Sequence, residues 1–220
     1  MKLLLSIILL SVTSITQAFQ VYDLENNEQF VNFVKDQNVP LVENENIPTW
    51  GRDNVLGEGA EISYSFADAD YACDNGNNCF SLDSFMPSGY QDTIALAFDT
   101  WASVSNLSFN QVTHQTGNIV IGGEAIDGFS GELGHAGIGV QYASHDSEIT
   151  SFISSGMLHF DNAENWSLDN TLTSLYDVAL HEIGHALGLD HSSDPEALMY
   201  PRYTGTNSLQ ADDVAGIQYL

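Results

Sequence analysis

The segment "TSLYDVALHEIGHALG" (residues 173–188) carries the strongest helical signal in the chain, and its contents restrict the fold more than any other feature. His181 and His185 stand four residues apart, so on a helix their rings share one face, one turn above the other. Two imidazoles at that spacing can grip a single Zn²⁺. Glu182 faces the same cleft off the ligand line, placed to touch a water held by the ion rather than the ion itself. Gly188 is a natural stop for the helix. A glycine can take a positive φ and turn the chain sharply, which brings His191 back as a third ligand. Three protein ligands leave a fourth position for water, the arrangement of a catalytic rather than a structural zinc. The fold must therefore deliver a helix, a tight turn and a returning strand of chain to one point.

The remaining elements set the fold class. "EISYSFA" alternates apolar and polar residues and reads as a strand. "YQDTIALAFDTWASV" places Ile94, Ala97, Phe98 and Trp101 near helical spacing. "LSFNQV" and "GNIVIGG" read as strands, the glycine-rich "GFSGELGHAGIG" leads into another, and "SGMLHFDNAENW" reads as a short strand and a turn. "ADDVAGIQYL" reads as a final amphipathic helix. This order predicts an α+β fold, a mostly single twisted mixed sheet with three helices packed against it.

Thirty acidic residues against four basic ones give a formal charge of -26, which excludes nucleic acid and anionic membrane as natural partners. Residues 1–18 read as a secretory signal peptide: Lys2, the apolar run "LLLSIILLSV", and "TQA" ending in a small residue at Ala18. No later run is long and apolar enough to span a bilayer, so the expectation is a secreted protein without membrane insertion. Residues 19–46 are polar and acid-rich and read as a short N-terminal extension or pro-segment, with the globular domain at 47–220. In an oxidising compartment Cys73 and Cys79, separated by the turn-forming "DNGNN", are expected to close a local disulfide loop.

The pattern H-E-x-x-H-x-x-G-x-x-H followed by a methionine is that of the metzincins. The segment "VALHEIGHALGLDHSSDPEALMYP" resembles the active-site segment of the matrixins, the matrix-metalloproteinase-like branch of that group. Ser192 directly after His191 favours this branch, and Pro201 two positions after Met199 argues against serralysins and astacins, which place a tyrosine there. "IPTW", "EISYSF", "IALAFDTWASVSNLSFNQV", "MLHFDNAENW" and "LQADDVAGIQYL" fall in the family's order, from about Pro48 to the end of the chain. The resemblance implies a metzincin-type catalytic domain, with Met199 as the Met-turn beneath the zinc and Pro201 and Tyr203 as one wall of the S1′ pocket. It also implies that no repeat or hemopexin-like domain follows.

The chain departs from the family in two places. Residues 19–47 hold no cysteine of the kind that caps the zinc in the vertebrate members, which leaves the latency mechanism open. Of the four ligands of the family's structural zinc, His135 and His159 match two, while the segment for the others is shortened to "GGEAIDG". His145 and Asp146, in a lengthened loop between them, are the available substitutes. Asp127, Asp161 and Glu164 match the carboxylates of an adjacent Ca²⁺ site, with Gly128 letting its loop turn.

These features predict a secreted zinc metalloendopeptidase, with one catalytic Zn²⁺ on His181, His185 and His191 and Glu182 as general base. It is expected to act as a monomer on an extended peptide or protein that pairs with the sheet edge near residues 131–140, more loosely at Gly134. The alternative is a non-catalytic secreted zinc- or calcium-binding protein that retains the protease fold.

Overall fold

Alternating burial in "EISYSF" and continuous burial in "IVIGGE" mark two kinds of strand, one near an edge and one covered on both faces. In the computed structural model of the chain, which describes residues 48–50, 57–68, 79–113, 115–145 and 148–220, both lie in one six-stranded sheet. The strands are β1 (Thr49–Trp50), β2 (Glu61–Phe66), β3 (Ser108–Gln111), β4 (Ile119–Glu124), β5 (Gly134–His145) and β6 (Glu148–Asp161). β3, β2, β4 and β6 run parallel to one another, β1 pairs parallel with β6 at Phe152 and Ile153, and β5 pairs antiparallel with β6. A two-residue parallel pair, β7 (Trp166–Ser167) with β8 (Thr173–Ser174), lies outside this sheet. The expected mixed sheet is thus parallel with a single antiparallel edge strand.

Three α-helices lie among the described residues: α1 (Tyr90–Ala102), α2 (Leu175–Ala186) and α3 (Ala211–Tyr219). The core lies between the sheet and the pair α1 and α2. Ile62, Tyr64, Ile119, Ile121, Leu158 and Phe160 from the strands meet Ile94, Phe98 and Trp101 of α1 and Leu180 and Ile183 of α2. The Tyr64 and Phe98 rings stack at 4.3 Å. Two indoles hold α2 in place: Trp101 Nε1–H donates to the Leu180 carbonyl at 2.9 Å and Trp50 Nε1–H to that of Ala186 at 3.0 Å. The histidine-bearing helix is therefore fixed by hydrogen bonds as well as by apolar contact.

One sequence expectation changes. The residues between His135 and His159 form a long β-hairpin, β5 and β6, and not a loop flanked by short strands. The alternation there is blurred by glycine and serine, which hides the strand period. The register sets His135 opposite His159, whereas His145 faces Glu148 near the other end, on the order of 30 Å away at the rise of a strand. His145 therefore cannot substitute at the His135–His159 position, and Asp146 lies outside the described residues. Residues 1–18, read as a signal peptide, residues 19–46, read as an N-terminal extension, and Cys73 lie outside the described residues.

Candidate active site

Helix α2 begins at Ser174, whose hydroxyl accepts the Asp177 N–H, and ends where its backbone closes a Schellman motif. Leu189 N–H reaches the Gly184 carbonyl at 3.0 Å and Gly188 N–H that of His185 at 2.9 Å, with Gly188 at φ +107°. The turn does what the glycine predicted: the chain doubles back and His191 arrives beside the two helical histidines. Their ring centres lie 4.8 Å (His181–His185), 4.6 Å (His185–His191) and 5.5 Å (His181–His191) apart.

The orientation of the first two rings is set by backbone carbonyls. His181 Nδ1–H donates to Leu198 O at 2.7 Å, and His185 Nδ1–H donates to Leu189 O at 2.8 Å. A carbonyl can only accept, so each ring carries its proton on Nδ1 and presents the bare Nε2. Those two Nε2 atoms face one another at 3.1 Å. Two lone pairs at that separation repel unless a cation lies between them, and bonds of about 2.0–2.1 Å from one Zn²⁺ at tetrahedral angles reproduce the spacing. One nitrogen from each of the three histidines lies within 4.8 Å of the others. The residues therefore fit the expected zinc. Burial pushes the His185 imidazole down to about 3, helped by the neighbouring His181, and lowers that of His181, so both stay neutral and able to ligate.

Glu182 is buried beside the ligands and lines the same cleft. Burial, and after it the Glu132 carboxylate, push its carboxyl up to about 8. A carboxylate so placed has a strong affinity for a proton. Beneath the histidines, Met199 is buried with its sulfur against Gly184. The turn that carries it is clamped by Asp213 of α3. This buried carboxylate accepts from the N–H groups of Leu198 (2.9 Å), Met199 (3.0 Å) and Gln210 (2.7 Å). Ser192 N–H closes the loop onto Met199 O at 2.8 Å. Sequence reading missed Asp213, although its place in a helix first turn, beside a capping residue, is a usable signal.

The cleft in front of the histidines has a volume of about 1140 Å³. It is lined by the segment 129–138, which includes the start of β5, and by Pro201 and Tyr203. Among the described residues β5 pairs only with β6, so its other edge faces the cleft with backbone groups available to an added strand.

The structure brings together a second group that sequence reading left incomplete. Glu124, at the end of β4, joins His135 and His159. Glu124 Oε2 lies 3.3 Å from His135 Nε2 and 3.2 Å from His159 Nδ1, and those two nitrogens are 3.1 Å apart. Glu132 is 3.3 Å from the other His135 nitrogen, and Cys79 Sγ is 3.4 Å from His159 Nε2. Glu124 belongs to "GGEAIDG", the shortened segment, where the missing aspartate and histidine drew attention away from a glutamate. The expected calcium carboxylates do not form such a group. Asp161 accepts from the N–H groups of Asp127 and Gly128, Glu164 from Ser130 and Asp127 from Glu132, which ties the 127–132 loop to the turn after β6.

Comparison with known proteins agrees with this geometry. The matrixin family model matches residues 80–220. The chain is 40% identical over 144 residues to the macrophage metalloelastase of Oryctolagus cuniculus (58% of this chain, 28% of that protein). It is 36% identical over 146 residues to matrix metalloproteinase-26 of Homo sapiens (61% and 52%) and 36% over 142 residues to the interstitial collagenase of Oryctolagus cuniculus (59% and 27%). It thus spans from about a quarter to about a half of the length of these relatives. With the family's pattern spread over well over half of its residues and its three histidines gathered at one point, the chain belongs to the matrixin family.

Proposed function

We propose that the protein is a secreted zinc-dependent endopeptidase acting on extended segments of proteins. The observation that carries this reading is the pair of bare Nε2 atoms of His181 and His185, held face to face by carbonyl-bound Nδ1 protons with His191 beside them. Zn²⁺ held there would polarise the scissile carbonyl and make water nucleophilic near neutral pH. Glu182 supplies the proton transfers. Its carboxylate takes a proton from the attacking water and returns it to the departing amine. Its place in the cleft beside the three histidines supports both roles. The β5 edge would hold the substrate backbone as an added strand, and Pro201 and Tyr203 would flank the side chain just beyond the scissile bond.

A second cation is proposed at Glu124, His135 and His159, whose donor atoms are spaced for a single ion. Calcium is proposed for the 127–130 loop, where it would draw on the Asp127, Asp161 and Glu164 oxygens now engaged by backbone N–H groups. The disulfide between Cys73 and Cys79 belongs to the same set of proposals, as do the signal peptide and the monomeric state.

Casein cleavage by the purified protein, before and after chelation and with zinc restored, tests the reading. Loss on chelation and recovery with zinc is expected, together with about two equivalents of tightly held metal in the native sample, one of them removed by His159→Ala. A zinc-loaded sample that cleaves no protein or peptide would favour the non-catalytic metal-binding alternative.

A further inference from the structure

One turn before His181 on the same face of α2 stands Asp177, a residue that the zinc chemistry does not use. It lines the cleft, and it is only 4% exposed. Tyr203 O–H donates to its Oδ2 at 3.1 Å, while its Oδ1 is buried with no hydrogen-bond partner. No lysine or arginine among the described residues is paired with it. Arg202 also lines the cleft but is exposed. The place of Asp177 in the first turn of α2 favours an acidic residue, but a buried carboxylate oxygen without a donor is costly.

We propose that Asp177 makes this pocket a receptor for a cationic side chain, so that the enzyme cuts before lysine or arginine. The inference rests on the peptidase reading above, which makes the space between His181 and Tyr203 the seat of the residue on the C-terminal side of the scissile bond. The entering ammonium or guanidinium donates to Oδ1 and supplies the missing partner. Tyr203 holds Oδ2 and fixes the carboxylate plane, while Oδ1 is closed off from solvent, so an entering cation reaches it only as the wall beside it gives way. An aspartate in a specificity pocket selects basic residues in other proteases by the same physics. The whole chain agrees: with 30 acidic residues against 4 basic ones, its field draws cationic segments towards it.

The test uses the zinc-loaded full-length protein and two quenched fluorescent peptides that differ only in lysine or leucine after the scissile bond. Wild type is expected to cleave the lysine peptide with kcat/KM about tenfold or more above that of the leucine peptide. Asp177→Asn keeps the shape and an acceptor for Tyr203 but removes the charge. It is expected to lower kcat/KM for the lysine peptide about 30-fold or more and to change that for leucine less than about 3-fold. Tyr203→Phe should retain the lysine preference, because the charge stays. Wild type preferring leucine, or Asp177→Asn slowing both peptides equally, overturns the inference and leaves the peptidase reading standing. Wild type cleaving neither peptide, nor any member of a peptide library, overturns both. If Asp177→Asn loses its fold, the wild-type preference alone decides.

Discussion

Between the two helical histidines stands Gly184, where any Cβ would overlap the Met199 sulfur and crowd Trp101. The residue is not there for backbone freedom, since it sits mid-helix, where glycine is costly. It makes room for the thioether that floors the site. Gly184→Ala should therefore destabilise the protein by about 1–3 kcal/mol despite its better helix propensity, read as a lower denaturant midpoint. At this scale much of the site was legible. Glu182 and the three histidines follow from spacing alone, because the helix period and one glycine turn leave few other arrangements. Asp177 was not read as a site residue although it stands four before His181, on the same helix face. The acidic composition concealed it, since one carboxylate among thirty gives no signal until its burial is known. Glu124 was hidden differently, by a β4–β6 register that only the sheet defines.

The elements that deliver the ligands depend on one another through hydrogen bonds. The Leu198 carbonyl orients His181, the Leu198 N–H is held by Asp213, and Asp213 stands in the first turn of α3. A helix remote from the chemistry thus sets the rotation of a ligand ring, as partners behind metal ligands commonly do. Asp213→Ala would leave three backbone N–H groups without their acceptor and should cost about 2–4 kcal/mol of stability. It should also weaken zinc affinity about 10–100-fold, measured by competition with a chelator of known affinity. Helices α1, α2 and α3 and strands β2, β3 and β4 were readable from the sequence pattern. The full β5–β6 hairpin was not, because glycine and serine scattered through both strands blur the two-residue rhythm, and its pairing is visible only in the assembled sheet.

For the whole molecule, the sheet presents its single antiparallel edge strand to the cleft while the parallel strands carry the core behind it. The rigid part of the fold thus bears the metal-ligand helix, and the exposed edge is reserved for substrate. The charge of -26 acts at this scale too. Attraction of a cationic peptide should be screened by salt, so its kcat/KM should fall several-fold between about 0.05 and 0.5 M ionic strength. A neutral peptide of the same length should change little, and initial-rate measurements at low substrate separate the two. Equal salt dependence for both would mean that the surface charge serves solubility alone.

The central claim is that three histidines hold a metal while Glu182 moves the proton, so the two functions can be separated. Zinc content and casein hydrolysis, measured side by side on wild type and Glu182→Ala, test it most directly. The account predicts equal zinc at the histidine site and a rate lower by about 10²–10⁴-fold in the variant. A Glu182→Ala protein that cleaves casein as fast as wild type would contradict it.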